Sequence, residues 1–343
     1  MTFRLLSCDG GGIRGYISST LIKNLDTATN GKLLANVNGY AGTSTGGLIS
    51  IALGAGVSID TLVDIYTNDA AEIFTKNTWF SAENSEQAQL RAELGEQAEL
   101  AGPGFFECEY TSAGLHKLMS KYLGQKTFGD VSGRMIAVNS AQLENTADTP
   151  ARWSPATLNN MKVGADYSGT SLVDAALATS AAPTYFPPHQ IGSSGYFADG
   201  GTFANNPVLN GVEVALSSGM AGSLADIQVI SIGTGLSPVG ISSAAVGNPL
   251  DWGATTWLWP KASSKGVPAL ALLNLTMSLS AENAGGVTER LLGGNLVRVN
   301  PVLAAPVPLD GYSKQDYQHM DAAIKAAMAG PEWQKAINLI NGW

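Results

Sequence analysis

Within its first 55 residues the chain twice runs from a short apolar stretch through a glycine turn into a helical pattern. Phe3 to Cys8 reads as a strand and leads into Asp9-Gly10-Gly11-Gly12-Ile13-Arg14-Gly15. Ile17, Leu21, Ile22 and Leu25 then recur at helical spacing until Asn30-Gly31. A second strand near 37–41 enters Gly42-Thr43-Ser44-Thr45-Gly46-Gly47. Leu48, Ile49, Ala52 and Leu53 carry a helix from there to Gly54-Ala55-Gly56. Strand, turn and helix in succession require parallel strands joined by crossovers. The expected class is therefore α/β, a central, mainly parallel sheet flanked by helices.

The rest of the chain continues the alternation. Ser58 or Asp60 caps a helix carrying Leu62, Val63, Tyr66, Ala70 and Phe74. Residues 76–104 are rich in Glu and Gln and read as a helical insert. A buried strand is expected over 133–139 and a short helix over 171–179, stopped by Pro183. Tyr196-Phe197-Ala198 forms a strand ending in Asp199-Gly200-Gly201, and Pro207 opens a helix. Strands follow over 228–232 and 297–299. Helices are expected over 313–328 and 332–340, and 236–284 is a variable region containing Trp252, Trp257 and Trp259. With no repeat and no interdomain linker, residues 1–343 read as one domain with insertions.

Composition narrows the partners. Against 28 acidic residues stand 19 basic ones, a net charge of −9, which argues against a phosphate-tracking nucleic-acid surface. Charged residues make up 14 % and apolar residues 45 %, too apolar for a disordered chain. Cys8 and Cys108 are too few for a disulfide scaffold and read as reduced, buried groups. No signal-type apolar core precedes Asp9 and no run of 18 apolar residues occurs, so the expectation is a soluble, cytoplasmic protein.

Three turns carry chemistry. Gly42-Thr43-Ser44-Thr45-Gly46 fits Gly-x-Ser-x-Gly, in which serine occupies a sharp strand-to-helix turn at the positive end of a helix; a helix-capping serine in a glycine-rich turn is the plainer reading. The loop at 10–15 also fits Gly-x-Gly-x-x-Gly. It is either a dinucleotide fingerprint or a nest of backbone N–H groups for developing negative charge. The absence of an acid after the second strand, and the nearness of the serine turn, favour the nest. Asp199 ends a strand and is followed by two glycines, which suits either a base or an ordinary Asp-Gly turn. Of the histidines, His116 and His189 lack a base-like context. His319 could complete a Ser44, Asp199, His319 triad, but it lies on a surface helix between Asp316 and Asp321.

Together these segments resemble the patatin-like phospholipase family. Asp9 to Gly15 matches its oxyanion motif, Gly42 to Gly47 its nucleophile elbow, and Asp199-Gly200-Gly201 its Asp-Gly-Gly motif. The block from Thr179 to Phe186 and Asn205-Asn206-Pro207 also fit, over about residues 1–235. The resemblance implies a patatin-like three-layer fold and a lipid acyl hydrolase acting on ester bonds through a Ser44–Asp199 dyad without histidine. Gly10, Gly11, Gly12 and Thr45 N–H groups would hold the oxyanion, and Arg14 would orient an anion or bridge within the loop. No cofactor and no metal are implied. The expected partner is a lipid or ester substrate, with transient contact at a membrane surface and none with nucleic acid. A nucleotide-binding oxidoreductase and a non-catalytic effector on the same fold are the competing classes. The tryptophans of 236–284 suit an acyl groove or a membrane interface, although core packing is the preferred reading. A carboxylate base stays ionised at mildly acidic pH unless burial raises its pKa.

Overall fold

The computed structural model describes residues 2–77, 107–145, 150–259 and 261–343, with isolated positions at 93, 95 and 104. An eight-stranded sheet collects β1 (Phe3–Cys8), β2 (Gly39–Thr43), β3 (Met135–Asn145), β4 (Arg152–Asn159), β5 (His189–Gln190), β6 (Tyr196–Asp199), β7 (Ile227–Ile232) and β8 (Leu296–Val299). Their spatial order is β5-β6-β3-β2-β1-β7-β8, with β4 paired to β3. The run β3-β2-β1-β7-β8 is parallel throughout, whereas β4 and β6 lie antiparallel to β3, and β5 to β6.

Alternation along the parallel strands divides the core between the two faces of the sheet. Leu6 and Cys8 of β1, with Ile230 and Ile232 of β7, point to the larger cluster. Phe3, Leu5, Ile227 and Val229 point to the smaller one. Helices of at least eight residues cover both faces. They are α1 (Gly15–Ala28), α2 (Thr45–Gly54), α3 (Ile59–Asn68), α4 (Ala113–Leu123), α5 (Leu172–Thr179), α6 (Val208–Ser217), α7 (Ala271–Leu292), α8 (Lys314–Met328) and α9 (Pro331–Asn341). Residues of α1, α2, α5 and α8 sit in the larger cluster, while Val208 and Val212 of α6 sit in the smaller. This is the helix–sheet–helix arrangement expected from the sequence. Serine caps start several helices: Ser58 accepts from Thr61 N at 3.1 Å, Ser171 from Asp174 N at 3.0 Å, and Ser313 forms a capping box with Asp316.

Differences from the sequence reading have local causes. β2 starts at Gly39 because pairing with β1 sets its register, Leu5 opposite Gly39. α3 stops at Asn68, and a separate short helix, Ala70–Ile73, follows Asp69. β4 is not expected from the sequence, since Pro155 interrupts its pattern; it pairs only with β3, and an edge position tolerates the missing donor. α7 occupies 22 residues, most of them within the segment read only as a variable tryptophan region. Cys8 is buried, but Cys108 is only partly covered. The helical insert expected over 76–104 lies, from 78 onward, outside the described residues apart from three isolated positions. None of the described helices is long and apolar enough to cross a membrane.

The junction between β1 and the start of α2 is tightly crowded. A Cβ added to Gly46 would collide with the carbonyl oxygen of Cys8. Neither backbone can retreat without breaking the β1–β2 ladder. Gly46→Ala should therefore destabilise the fold by ~3 kcal/mol or more, at the upper end of overpacking costs, as read by urea unfolding. A loss under ~1 kcal/mol would show that the junction relaxes freely.

Candidate active site

Two strand ends create the site. β2 runs parallel to β3 and ends with Thr43 opposite Asn139. β6 runs antiparallel along the same edge and ends with Asp199 opposite Ser140, the next residue of β3. The C-terminal ends of β2 and β6 thus converge head to head, and the residues that follow, Ser44 and Gly200, turn away from the sheet.

Ser44 sits at φ 55°, ψ −126° between β2 and α2. A side chain in that region costs on the order of 1–3 kcal/mol, so the surroundings must impose it. Several bonds do so. Ser44 N–H donates to Thr179 Oγ1 at 3.0 Å, and Thr179 Oγ1 donates to the Asn139 carbonyl at 2.6 Å. Thr43 Oγ1 donates to the Ala204 carbonyl at 2.7 Å. The hydroxyls of Thr45 and Tyr66 share a short hydrogen bond on the far side. The Ser44 side chain is left at the positive end of α2, on the wall of a slot.

Asp199 lines the same slot and is 2 % exposed. Its Oδ1 accepts the Gly201 N–H at 2.7 Å, while buried Oδ2 makes no hydrogen bond among the described residues. Burial is the main influence and raises the carboxyl pKa to about 7; the Ser44 hydroxyl and the Gly201 N–H act in the opposite direction. The mildly acidic ionisation expected of a free carboxylate is therefore overturned by desolvation.

The glycine loop lies against both groups. Gly10 N–H donates to the Asn205 carbonyl at 3.0 Å and Ile13 N–H to the Leu309 carbonyl at 2.7 Å. The N–H groups of Gly11 and Gly12 have no acceptor among the described residues, and neither does that of Thr45 at the first turn of α2. The four donors expected from the motif are thus three available ones and one, that of Gly10, spent on holding the loop. Gly12 has φ +58°, and a Cβ there would collide with the Leu309 carbonyl. Asp9 anchors the loop from behind through a two-pronged ion pair with Arg298, 2.6 Å from Nη2 to Oδ2 and 3.2 Å from Nη1 to Oδ1. Arg298 Nη1 also donates to Ser231 at 2.9 Å. Sequence reasoning missed Arg298. The available signal was an arginine in the middle of a short apolar strand, which must find a buried partner.

Two neighbouring cavities share a wall beside this site, and Ser44 lines the smaller. The slot is narrow, about 40 Å³, and almost wholly apolar, with Leu48, Ile73, Phe74, Leu115 and Phe186 on its walls. A larger cleft of about 570 Å³ holds Asp9, Arg14, Asn205, Glu282 and Arg298. Tyr185, Met277 and Leu309 border both. Arg14 Nε donates to the Gly11 carbonyl at 3.3 Å, and its guanidinium has no carboxylate partner among the described residues. Burial lowers its pKa to about 10. Ser180 Oγ, on the slot, and Asn205 Oδ1, on the cleft, are buried without hydrogen-bond partners among the described residues.

The histidines lie elsewhere: none lines the slot or the cleft. His189 pairs with Asp174 at 2.9 Å, His116 is exposed on α4, and His319 is half-buried on α8. Trp252 and Trp257 pack edge to face, 4.7 Å between ring centres, against a small cluster of Ala245, Val267 and Ala271. For these two rings core packing prevails over a groove lining.

Comparison with known proteins agrees with this geometry. Residues 6–211, which include the glycine loop, Ser44 and Asp199, match the patatin-like phospholipase family. A cGAMP-activated phospholipase of Vibrio cholerae is 30 % identical over 253 residues, covering 67 % of this chain and 64 % of that protein. A protein of the same name from Pseudomonas aeruginosa is 27 % identical, over 87 % of this chain and 78 % of its own. The rat 85/88 kDa calcium-independent phospholipase A2 is 26 % identical, over 90 % of this chain but 37 % of its own. The chain thus spans less than two thirds of the Vibrio protein's length. A mainly parallel sheet with a serine elbow, a glycine loop and an Asp-Gly-Gly turn, matched over 6–211, places this chain in the patatin-like phospholipase family.

Proposed function

We propose that the chain is a lipid acyl hydrolase and that residues 1–343 form one catalytic unit. The observation that carries the reading is a buried carboxylate, Asp199, with a pKa near 7 and no cation beside it among the described residues, lining one slot with a serine held at positive φ. A carboxyl poised near neutrality is suited to take and return a proton.

The Ser44 hydroxyl attacks the carbonyl carbon of an ester, and its proton passes to Asp199. The carbonyl oxygen becomes an oxyanion held by Gly11, Gly12 and Thr45 N–H, helped by the α2 dipole. Collapse expels the alkoxide, which takes the proton back from Asp199. Water then attacks the acyl-serine, again giving its proton to Asp199, and the acid leaves as Ser44 recovers its proton. The apolar slot suits the acyl chain. Arg14, a half-buried cation without a carboxylate partner among the described residues, suits an anion in the larger cleft. A dinucleotide reading of the glycine loop is disfavoured, since the Leu309 carbonyl fills the space above Gly12 where a pyrophosphate would lie.

Ser44→Ala should remain folded and lose ester hydrolysis, measured with p-nitrophenyl esters and phospholipids. Residual turnover above about 1 % of wild type in the folded variant would remove Ser44 from the nucleophile role.

Asp199→Asn keeps the Gly201 contact but cannot accept a proton. Turnover should fall at least about a hundredfold, the usual scale of general-base loss. The same change should stabilise the protein at pH 8. A group with pKa about 7 when folded and about 3.9 when unfolded binds protons more readily in the native state. Its ionisation therefore costs stability progressively between those values as pH rises. Removing the charge should raise unfolding free energy at pH 8 by up to about 4 kcal/mol and change it little below pH 4. An Asp199→Asn variant that is fully active, or less stable at pH 8, would refute the assignment.

For the wild type, kcat/KM should have an acid limb with an apparent pKa of about 7, falling tenfold per pH unit below it. A limb near 4 would mean that the acting base is solvated.

A further inference from the structure

We propose that the outer face of α7, with the segment before it, docks on an electrically neutral lipid surface and delivers acyl chains past Met277 to Ser44. This rests on the hydrolase reading.

α7 has two distinct sides near its start. Met277 faces inward onto the slot and the cleft, and Ala281 onto the cleft. Leu272, Leu275 and Leu279, spaced by three and four residues, lie together on the outer side and are 41 %, 41 % and 59 % exposed. Leu258, 45 % exposed, belongs to a short helix (Ala254–Leu258) packed on α7, and Leu250 nearby in sequence is 92 % exposed. The Leu270 N–H donates to the Trp259 carbonyl at 2.7 Å and ties this segment to the start of α7. Residues 236–279 hold seven of the fourteen large apolar side chains exposed among the described residues. Scattered exposure is ordinary, but such concentration beside a catalytic slot marks an interaction surface.

The distribution of charge selects the occupant. From Gly266 to Ala281 there is no charged residue, and then Glu282, Glu289 and Arg290 are all exposed. Polarity therefore changes along the helix axis as well as around it. A protein groove matches one face of a helix along its length, whereas an element dipped into a lipid interface is apolar at its immersed end and charged where it emerges. Residues 236–281 carry only Asp251, Lys261 and Lys265, a sum of +1 in a chain of −9, so the remainder stands at −10. The patch is the near-neutral part of an acidic molecule. It suits a zwitterionic surface entered by apolar contact, with little dependence on salt.

The test uses phosphatidylcholine vesicles and the full chain. Wild type should co-sediment with them, equally at low and high salt. Leu275→Glu with Leu279→Glu should weaken co-sedimentation at least tenfold and lower turnover of vesicle phospholipid as much, while hydrolysis of a water-soluble short-chain ester continues. Leu279→Trp gives an independent reading: its added indole fluorescence should shift to the blue with vesicles and be quenched by brominated chains. Wild type that stays in solution, a double variant that binds as well as wild type, or an added indole signal that does not shift would overturn the proposal. So would a wild-type dimer that the double variant converts to monomer, since a second copy would then cover the patch. Absence of ester hydrolysis in every variant would instead defeat the hydrolase reading, and vesicle binding would still report on the docking face.

Discussion

The site depends on one constraint of the sheet: two strands share a single edge of β3 and stop facing one another. β2 occupies the edge up to Asn139 and β6 takes it over from Ser140. An all-parallel sheet would send every strand end the same way and leave its functional groups side by side. The reversal of β6 instead sets a carboxylate across from a serine. Such a break leaves buried backbone and side-chain groups without ladder partners, and these need other hydrogen bonds. A polar network supplies them. Asn139 Nδ2 donates to Thr43 Oγ1 at 3.1 Å, Thr157 Oγ1 donates to Asn139 Oδ1 at 3.1 Å, and Ser140 Oγ reaches the carbonyls of Ala178 and Ala198. The network is satisfied and buried, so it fixes the junction in one arrangement.

Two buried aspartates near this junction are given different partners. Asp9 receives a guanidinium with matched geometry and holds the glycine loop against β8 and Ser231. Asp199 receives one backbone N–H and no cation, and its charge is unfavourable at neutral pH. Burial pushes both carboxyl groups upward, but only at Asp9 does a guanidinium oppose it, which suits Asp9 to a structural role and Asp199 to the proton-accepting role proposed for it. The arrangement trades stability for reactivity, since an unpaired carboxylate in a dry site is the costlier way to occupy that position.

Much of this is legible in the chain. β1 can be read to the residue, and the strand–turn–helix repeat yields the fold class, because buried parallel strands flanked by glycine turns leave a strong pattern. Ser44, Asp199 and the glycine loop are visible as residues, but their mutual placement is not. It arises from β3, whose second half escapes the pattern because Ser140 and Gln142 break the apolar run while pairing with β6. Pro155 hides β4, and the Gly285-Gly286 pair and small polar residues hide α7. The engagement of Gly10 and the pKa of Asp199 follow from contacts with residues almost two hundred positions away or from burial, neither of which local sequence encodes.

The residues proposed to carry chemistry and the residues that hold them come from different parts of the chain. The matched span, 6–211, contains Ser44, Asp199 and the donors of the glycine loop. Their positions are set from beyond it. Arg298 of β8 neutralises Asp9, and the Leu309 carbonyl takes the Ile13 N–H and closes over Gly12. Met277 of α7 forms the wall between slot and cleft, and Ser280 accepts the Asn205 N–H at 3.3 Å. Tyr317 of α8 donates to the Tyr66 carbonyl, while the Tyr66 hydroxyl meets Thr45 beside Ser44. On the proposed mechanism, a fragment ending near 211 would keep every reacting group and lose what aligns them. Catalytic geometry tolerates errors of only about 0.5 Å, so the segment after 211 belongs to the site as much as the motifs do.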